Sequence, residues 1–107
     1  MQRFGMVIGV DADRLEDYKR YHAQVWPEVL LELKKAHIQN YSIYYHQGLL
    51  FSYYEYDGTN YPADMARMNS NETVKKWQSV MNTLQIPLES RQKGEWWASM
   101  EEVFYMA

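Results

Sequence analysis

The 107-residue sequence contains no cysteine. A disulfide framework, a thiolate metal site and a cysteine nucleophile are therefore excluded. Basic residues are also few, because 11 lysines and arginines stand against 14 acidic residues, giving a formal net charge of -3 at pH 7. Phosphate binding needs clustered basic side chains on one face, so we expect no nucleic-acid partner. The pairs Lys34-Lys35 and Lys75-Lys76 are interpreted as solvated helix faces.

Long hydrophobic runs are missing as well. The apolar stretch at the amino terminus is broken by Asp11, and it is too short for a signal peptide or a membrane span. We therefore expect no membrane partner and a cytoplasmic location. With 47% hydrophobic residues the chain can bury a modest core, and its length supports a single domain over residues 1–107.

Most patterns that mark common catalytic sites do not occur either. There is no glycine-rich phosphate loop and no pair of carboxylates at a diagnostic spacing, which disfavours phosphoryl and hydride transfer. The three histidines, His22, His37 and His46, lack the i, i+4 spacing of helical metal ligands, and we expect no metal and no cofactor. His37 follows two lysines and is interpreted as a helix-terminal residue. Proton transfer by a single histidine remains.

The main feature that is present is a helical pattern of apolar and aromatic residues over the range 15–36, spaced by three and four. Tyr18 and His22 lie one turn apart on the face that this pattern turns toward the core. Trp26 follows one turn later, and Pro27 predicts a kink that can open a cavity beside His22. A histidine on such a face is either a packing residue with one hydrogen bond or a proton-transfer group, and the pattern alone allows both.

Three further stretches predict strands. Residues 4–10 alternate in side-chain size, and the aromatic runs 41–45 and 49–56 flank a short connection ending in Gly48, which predicts a hairpin. Large rings occupy both faces of that hairpin, whereas a sheet with one wet face would alternate apolar and polar residues. We therefore expect the second face to be covered. In a chain this short the expected cover is another copy, giving a homodimer.

The second half of the chain predicts two helical segments and a last strand. Residues 61–68 form the first segment, Asn71 caps the second, which carries Trp77 on its apolar stripe, and residues 103–106 form the strand. The order strand, helix, strand, strand, helix, strand is that of the ferredoxin-like split βαβ fold, an α+β architecture with an antiparallel sheet. Trp96-Trp97 anchors the preceding loop either to the body of the protein or to a partner.

Several blocks of sequence, in order along nearly the whole chain, carry a resemblance. They are Tyr18, Arg20, His22, Trp26-Pro27-Glu28, Asn40 to Tyr44, Leu49-Leu50-Phe51 and Glu102 to Tyr105. Together they resemble the L-rhamnose mutarotase family, which implies the ferredoxin-like fold with two protomers joined as a dimeric α+β barrel. One position departs from the family, whose second helix carries a Trp-Trp pair where this chain has Trp77 followed by Gln78.

The resemblance implies an activity, the interconversion of the α and β anomers of an aldopyranose, L-rhamnose or a related 6-deoxy hexose. It also implies roles, with His22 as the proton donor and Tyr18, Tyr41 and Trp77 as sugar contacts. Imidazole suits such a reaction because its unperturbed pKa of about 6.5 lets it give and receive a proton near neutral pH.

Two points stay open. No motif identifies the base that would accept the sugar proton, and Glu28 and Glu102 are the candidates. Small dimeric barrels of this fold also serve as cofactor-free or haem-handling monooxygenases and as small-ligand sensing modules, and fold alone does not choose among these functions.

Overall fold

The computed structural model describes residues 1–107 as a mixed α+β structure with four helices and an antiparallel sheet. The strands are β1 (Gln2–Val10), β2 (Ile38–His46), β3 (Leu49–Tyr56), β4 (Gln85–Ile86) and β5 (Ala98–Ser99). The helices are α1 (Leu15–Ala23), α2 (Pro27–Lys35), α3 (Tyr61–Asn69) and α4 (Glu72–Leu84), and a 3₁₀ turn, Ala12–Arg14, precedes α1. The sheet order is β2-β3-β1-β4, with β5 also beside β1, and every pairing is antiparallel. The predicted ferredoxin-like α+β fold is confirmed.

Pro27 divides the predicted long helix into α1 and α2. Trp26 takes an extended conformation, with φ -57° and ψ 131°, as expected for a residue that precedes proline. Pro27 is the first residue of α2, where its missing N–H removes no helical hydrogen bond. The predicted kink is therefore a complete break, and the last turn of α1, which carries His22, ends beside it.

The hairpin between β2 and β3 closes through Gln47 and Gly48, with φ values of 47° and 86°. Two successive positive φ values are typical of a type I′ turn, whose twist matches that of the paired strands. β3 has the predicted bounds, whereas β2 begins at Ile38, earlier than predicted. A bulge between Gln39 and Ser42 explains this difference, because it interrupts the regular alternation by which a strand is recognised in sequence.

The predicted closing strand at residues 103–106 is wrong, because these residues form no strand and are exposed. β4 and β5 occupy the free edge of β1 instead. In β5, Ser99 lies opposite Met6, and the two strands run in opposite directions. If this register continued, Val103 would lie opposite Gln2, the first residue of β1. Residues 104–106 would then have no part of β1 to pair with.

The helices cover one face of the sheet. On that face Ile8, Val10 and Leu50 pack with helical residues Tyr18, Val29, Trp77, Met81 and Leu84 in the main hydrophobic cluster. The opposite face presents a row of paired apolar side chains, Val7, Phe51 and Tyr44, of which Tyr44 is 67% exposed. The second face thus carries apolar surface, as the aromatic hairpin predicts.

None of the helices combines the length and the apolar character needed to cross a membrane.

Candidate active site

Two adjoining cavities lie between the helices and the inner face of the sheet, with volumes of about 450 Å³ and 650 Å³. Both volumes fall within the range of about 300–1,000 Å³ that is typical of small-molecule sites. Tyr18, His22, Tyr41 and Trp77 line both cavities. Helices α1 and α4 and strand β2 therefore bring all four site residues suggested by the sequence to a common wall.

His22 lies in the last turn of α1, half-buried between two aromatic rings. Its ring stacks on the Tyr18 ring, with centroids 4.2 Å apart, and meets the Trp77 ring edge-on at 5.4 Å. Its Nδ1 lies 2.9 Å from the backbone carbonyl oxygen of Tyr18. A carbonyl oxygen only accepts, so Nδ1 carries the hydrogen and donates it. In the neutral ring the lone pair is therefore on Nε2, which is free to take a proton from a ligand.

The surroundings of His22 also set its charge. Burial lowers the pKa of His22 below its usual value of about 6.5, and the hydrogen bond to the Tyr18 carbonyl raises it in part. Burial is the larger effect, because it removes the water that would solvate the charged imidazolium. At pH 7 the ring is therefore neutral and is able to accept a proton before it donates one.

The two phenols of the wall, Tyr18 and Tyr41, stay in their neutral form. Burial raises the pKa of Tyr18 far above its usual value of about 10, and it raises the pKa of Tyr41 to about 12. Tyr41 is 43% exposed, as expected at the edge of an open cavity, yet enough protein surrounds its hydroxyl to disfavour the phenolate. Neutral phenols both donate and accept hydrogen bonds, which suits the hydroxyl groups of a polyol.

Trp77 projects from α4 into the same wall and is 8% exposed. Its indole packs edge-on against Trp26 at 5.2 Å and against Tyr21 at 6.1 Å. Trp77 therefore belongs to the main hydrophobic cluster and lines the cavity as well. The next residue, Gln78, lines the smaller cavity, and its side-chain amide donates to Oδ1 of Asn69 at 2.8 Å on the exposed surface.

No carboxyl group lines either cavity. Glu28, one of the two base candidates, lies exposed in the first turn of α2. Glu102, the other candidate, forms an ion pair with Arg3 at 2.7 Å, outside both cavities. No three His, Asp or Glu side chains lie close enough together to hold a metal ion. His22 is thus the one residue of the cavity walls whose usual pKa lies near neutrality.

The chain is similar to known proteins over nearly its whole length. A family model described as L-rhamnose mutarotase matches residues 3–106. This chain belongs to the L-rhamnose mutarotase family. An L-rhamnose mutarotase of Oceanobacillus iheyensis is 34% identical over 83 residues, 76% of this chain and 77% of that protein. One of Lactiplantibacillus plantarum is 31% identical over 108 residues, 99% of each chain.

The structural comparison agrees with the sequence comparison. The crystal structure of an L-rhamnose mutarotase from Formosa agariphila superposes with a TM-score of 0.78 at 28% identity, covering 100% of both chains. Mutarotases are carbohydrate isomerases, so the family assignment makes this chain an isomerase. The resemblance carried by the sequence blocks is confirmed.

In this member of the mutarotase family, the cavity wall also contains residues that sequence patterns did not indicate. Gln85 is buried and lines the smaller cavity together with Trp96. The sequence contains one indication of the role of Gln85, which is its place between the apolar residues Leu84 and Ile86. A glutamine there is costly to bury unless it is hydrogen-bonded. Trp97 lines the same cavity, so the tryptophan pair anchors its loop to the body of the same protomer.

Proposed function

We propose that residues 1–107 form one mutarotase domain that interconverts the α and β anomers of L-rhamnose or a related 6-deoxy hexose. The observation that carries the proposal is the imidazole of His22 in a cavity wall that it shares with Tyr18, Tyr41 and Trp77. Burial lowers the pKa of this imidazole and so favours its neutral form. Family membership supports the sugar class, and for the same reason we set aside the monooxygenase and ligand-sensing alternatives. We also propose, from the sequence, a cytoplasmic location.

Ring opening requires one proton to leave the anomeric hydroxyl and one to reach the ring oxygen. Nε2 of neutral His22 takes the anomeric proton as the C1–O5 bond breaks and the C1=O1 double bond forms. The imidazolium then gives a proton to O5, which has kept the electron pair of the broken bond. Rotation about C1–C2 and the same steps in reverse give the other anomer and return His22 to its neutral form. The proton-donor role implied by the family resemblance is the second half of this cycle.

Three aromatic side chains hold the sugar against His22 in this proposal, namely Tyr18, Tyr41 and Trp77. Their rings offer apolar surface to the C–H face of a pyranose, and the phenol hydroxyls pair with sugar oxygens. The methyl group of a 6-deoxy sugar adds apolar area that such a wall can bury.

Saturation-transfer NMR tests the proposed activity. Saturating the anomeric proton of one L-rhamnose anomer reduces the signal of the other anomer when the two exchange during the measurement. We expect the protein to accelerate this exchange above the rate in buffer. L-Mannose is the matched control sugar, because it differs from L-rhamnose only by a hydroxyl group at C6. An apolar wall leaves this hydroxyl unpaired, so the anomers of L-mannose should exchange more slowly. If no aldose exchanges faster than in buffer, the proposal is rejected.

We expect the protein-dependent exchange rate to fall as the pH is lowered through the pKa of His22. Only the neutral ring can take the first proton, and burial keeps that pKa below about 6.5. The rate should be constant between about pH 7 and 8 and reach half its value below about pH 6.5, after the buffer rate at each pH is subtracted. Circular dichroism at each pH checks that the protein remains folded. A rate that rises on acidification would be incompatible with His22 as the first proton acceptor.

We propose that two copies pair through the outer face of the sheet and form the dimeric α+β barrel. Val7, Phe51 and Tyr44 form a row across three neighbouring strands on that face, while the helices pack on the other. The C-terminal residues 103–106 add further exposed apolar surface. Contiguous apolar surface of this kind commonly marks a contact with a partner, and a second copy is the commonest partner.

Tyr44→Glu should dissociate the proposed homodimer, because a charge within an apolar interface is costly to bury. Light scattering should give twice the chain mass of 12.9 kDa for the wild type and the chain mass alone for the variant. Leu31→Glu is the matched control, since Leu31 is 51% exposed on α2, on the helical side, and this variant should stay dimeric. A wild type that is monomeric at all concentrations would exclude the homodimer.

A further inference from the structure

Trp96, Gln85 and Tyr18 form a chain of hydrogen bonds in the wall of the smaller cavity. Gln85 is the first residue of β4, pairs with Val10 of β1, and is 8% exposed. The indole Nε1 of Trp96 lies 2.8 Å from Oε1 of Gln85. Nε2 of Gln85 lies 3.4 Å from the hydroxyl oxygen of Tyr18, which is a long hydrogen bond. These two hydrogen bonds thus connect the segment before β5 to Tyr18, the residue on which His22 stacks.

The indole fixes the direction of this chain of hydrogen bonds. An indole N–H only donates, so the atom of Gln85 that faces Trp96 is the carbonyl oxygen. The amide nitrogen of Gln85 therefore faces Tyr18, and the hydroxyl oxygen of Tyr18 is the acceptor. No other group of the protein hydrogen-bonds to this hydroxyl. Its own hydrogen is therefore available to a ligand in the cavity.

We infer that Gln85, oriented by Trp96, is a positioning residue that makes the Tyr18 hydroxyl a hydrogen-bond donor to the sugar. The inference rests on the proposed sugar-binding function of the cavity. Tyr18 and His22 line the same two cavities, so both face a sugar bound there. The ring oxygen of a pyranose can only accept a hydrogen bond, and a phenol whose hydrogen is kept free is suited to it.

The competing interpretation is that Gln85 only satisfies buried polar atoms and supports packing. Two variants distinguish the interpretations, because a positioning role and a packing role predict opposite orders of effect. Gln85→Glu keeps the size and shape of the side chain and both hydrogen-bonded contacts, but it replaces the donor by an acceptor. Gln85→Met keeps the approximate volume and removes both contacts.

In Gln85→Glu, the new carboxylate accepts from the indole N–H and from the Tyr18 hydroxyl, so the hydroxyl hydrogen is no longer available to the sugar. We expect the dissociation constant for L-rhamnose, from an NMR titration at pH 8, to rise about tenfold. In Gln85→Met the Tyr18 hydrogen stays free, and the rise should be less than about threefold. A role in packing alone predicts the larger loss for Gln85→Met.

Two further variants separate this effect from the added charge and from misfolding. In a Tyr18→Phe background, Gln85→Glu should change the dissociation constant by less than about twofold, because the hydroxyl through which it acts is gone. Trp96→Phe keeps an aromatic ring, although a smaller one, and removes the N–H, and it should weaken binding about threefold, because the Gln85 amide can then turn either way. Thermal unfolding of each variant verifies that it is folded.

The inference is overturned if Gln85→Glu binds L-rhamnose as tightly as the wild type does. It is also overturned if the effect of Gln85→Glu is undiminished in the Tyr18→Phe background. Binding and exchange are measured separately, so the two proposals fail in different ways. Sugar binding without anomer exchange in the wild type refutes the proposed function alone, whereas no sugar binding refutes both.

Discussion

Replacing His22 with glutamine is expected to reduce protein-dependent anomer exchange of L-rhamnose by about 10²- to 10⁴-fold, as measured by saturation-transfer NMR. The amide of the new side chain can still donate to the Tyr18 carbonyl, but it cannot take or give a proton near neutral pH. No carboxyl group lines the cavities, so no neighbouring group replaces the lost proton transfer. The effect should therefore fall on turnover, with a much smaller change in sugar affinity.

His37→Asn is the matched control for this prediction. His37 lies exposed after α2 with a φ of 64°, a conformation that asparagine tolerates well. Its exchange rate should stay within about twofold of the wild-type rate, as expected for a surface change. Wild-type exchange in His22→Gln would exclude a catalytic role for the imidazole.

Trp77→Ala is expected to lower the free energy of unfolding by about 3–5 kcal/mol. The indole is 8% exposed and packs edge-on against Trp26, Tyr21 and His22, so its removal leaves a void among rings that cannot close around it. Urea denaturation measures the change. The variants must be compared at one protein concentration, because the stability of the proposed homodimer depends on concentration.

Trp77→Phe separates packing from sugar binding. It keeps an aromatic ring in the core and should lose less stability than Trp77→Ala, yet its smaller ring offers the sugar less apolar surface and should weaken L-rhamnose binding. A loss of less than about 1 kcal/mol in Trp77→Ala would contradict a core role for the indole.

The features that were predictable from sequence are those set by local chemistry. Asn71 caps α4 through its side chain, Gly48 takes the positive φ of a tight turn, and Pro27 ends one helix and begins the next. Each of these residues acts on its immediate neighbours. Tyr18 and His22 were also predictable as a pair, because helical periodicity alone places residues four apart on one face.

The features that sequence did not predict depend on distant parts of the chain. Residues 103–106 have the composition of a strand, but their pairing depends on where β1 begins and on the edge that β4 and β5 already occupy. Gln85 bonds to Tyr18 across a separation of 67 positions, and Trp96 reaches Gln85 from the segment before β5. Such contacts join residues that are brought together only by the folded sheet, so they leave no periodic pattern in the sequence.

In the proposed mechanism a neutral imidazole with a free Nε2 faces the bound sugar, and NMR of isotope-labelled histidine nitrogens reports both the protonation of each nitrogen and its contact with the sugar. At pH 7 we predict that Nδ1 of His22 is protonated and Nε2 is not, and that the Nε2 signal moves saturably as L-rhamnose is added. The His22→Gln variant identifies these signals by their loss. An imidazolium at pH 7, or an Nε2 signal that does not respond to L-rhamnose, would rule out His22 as the first proton acceptor.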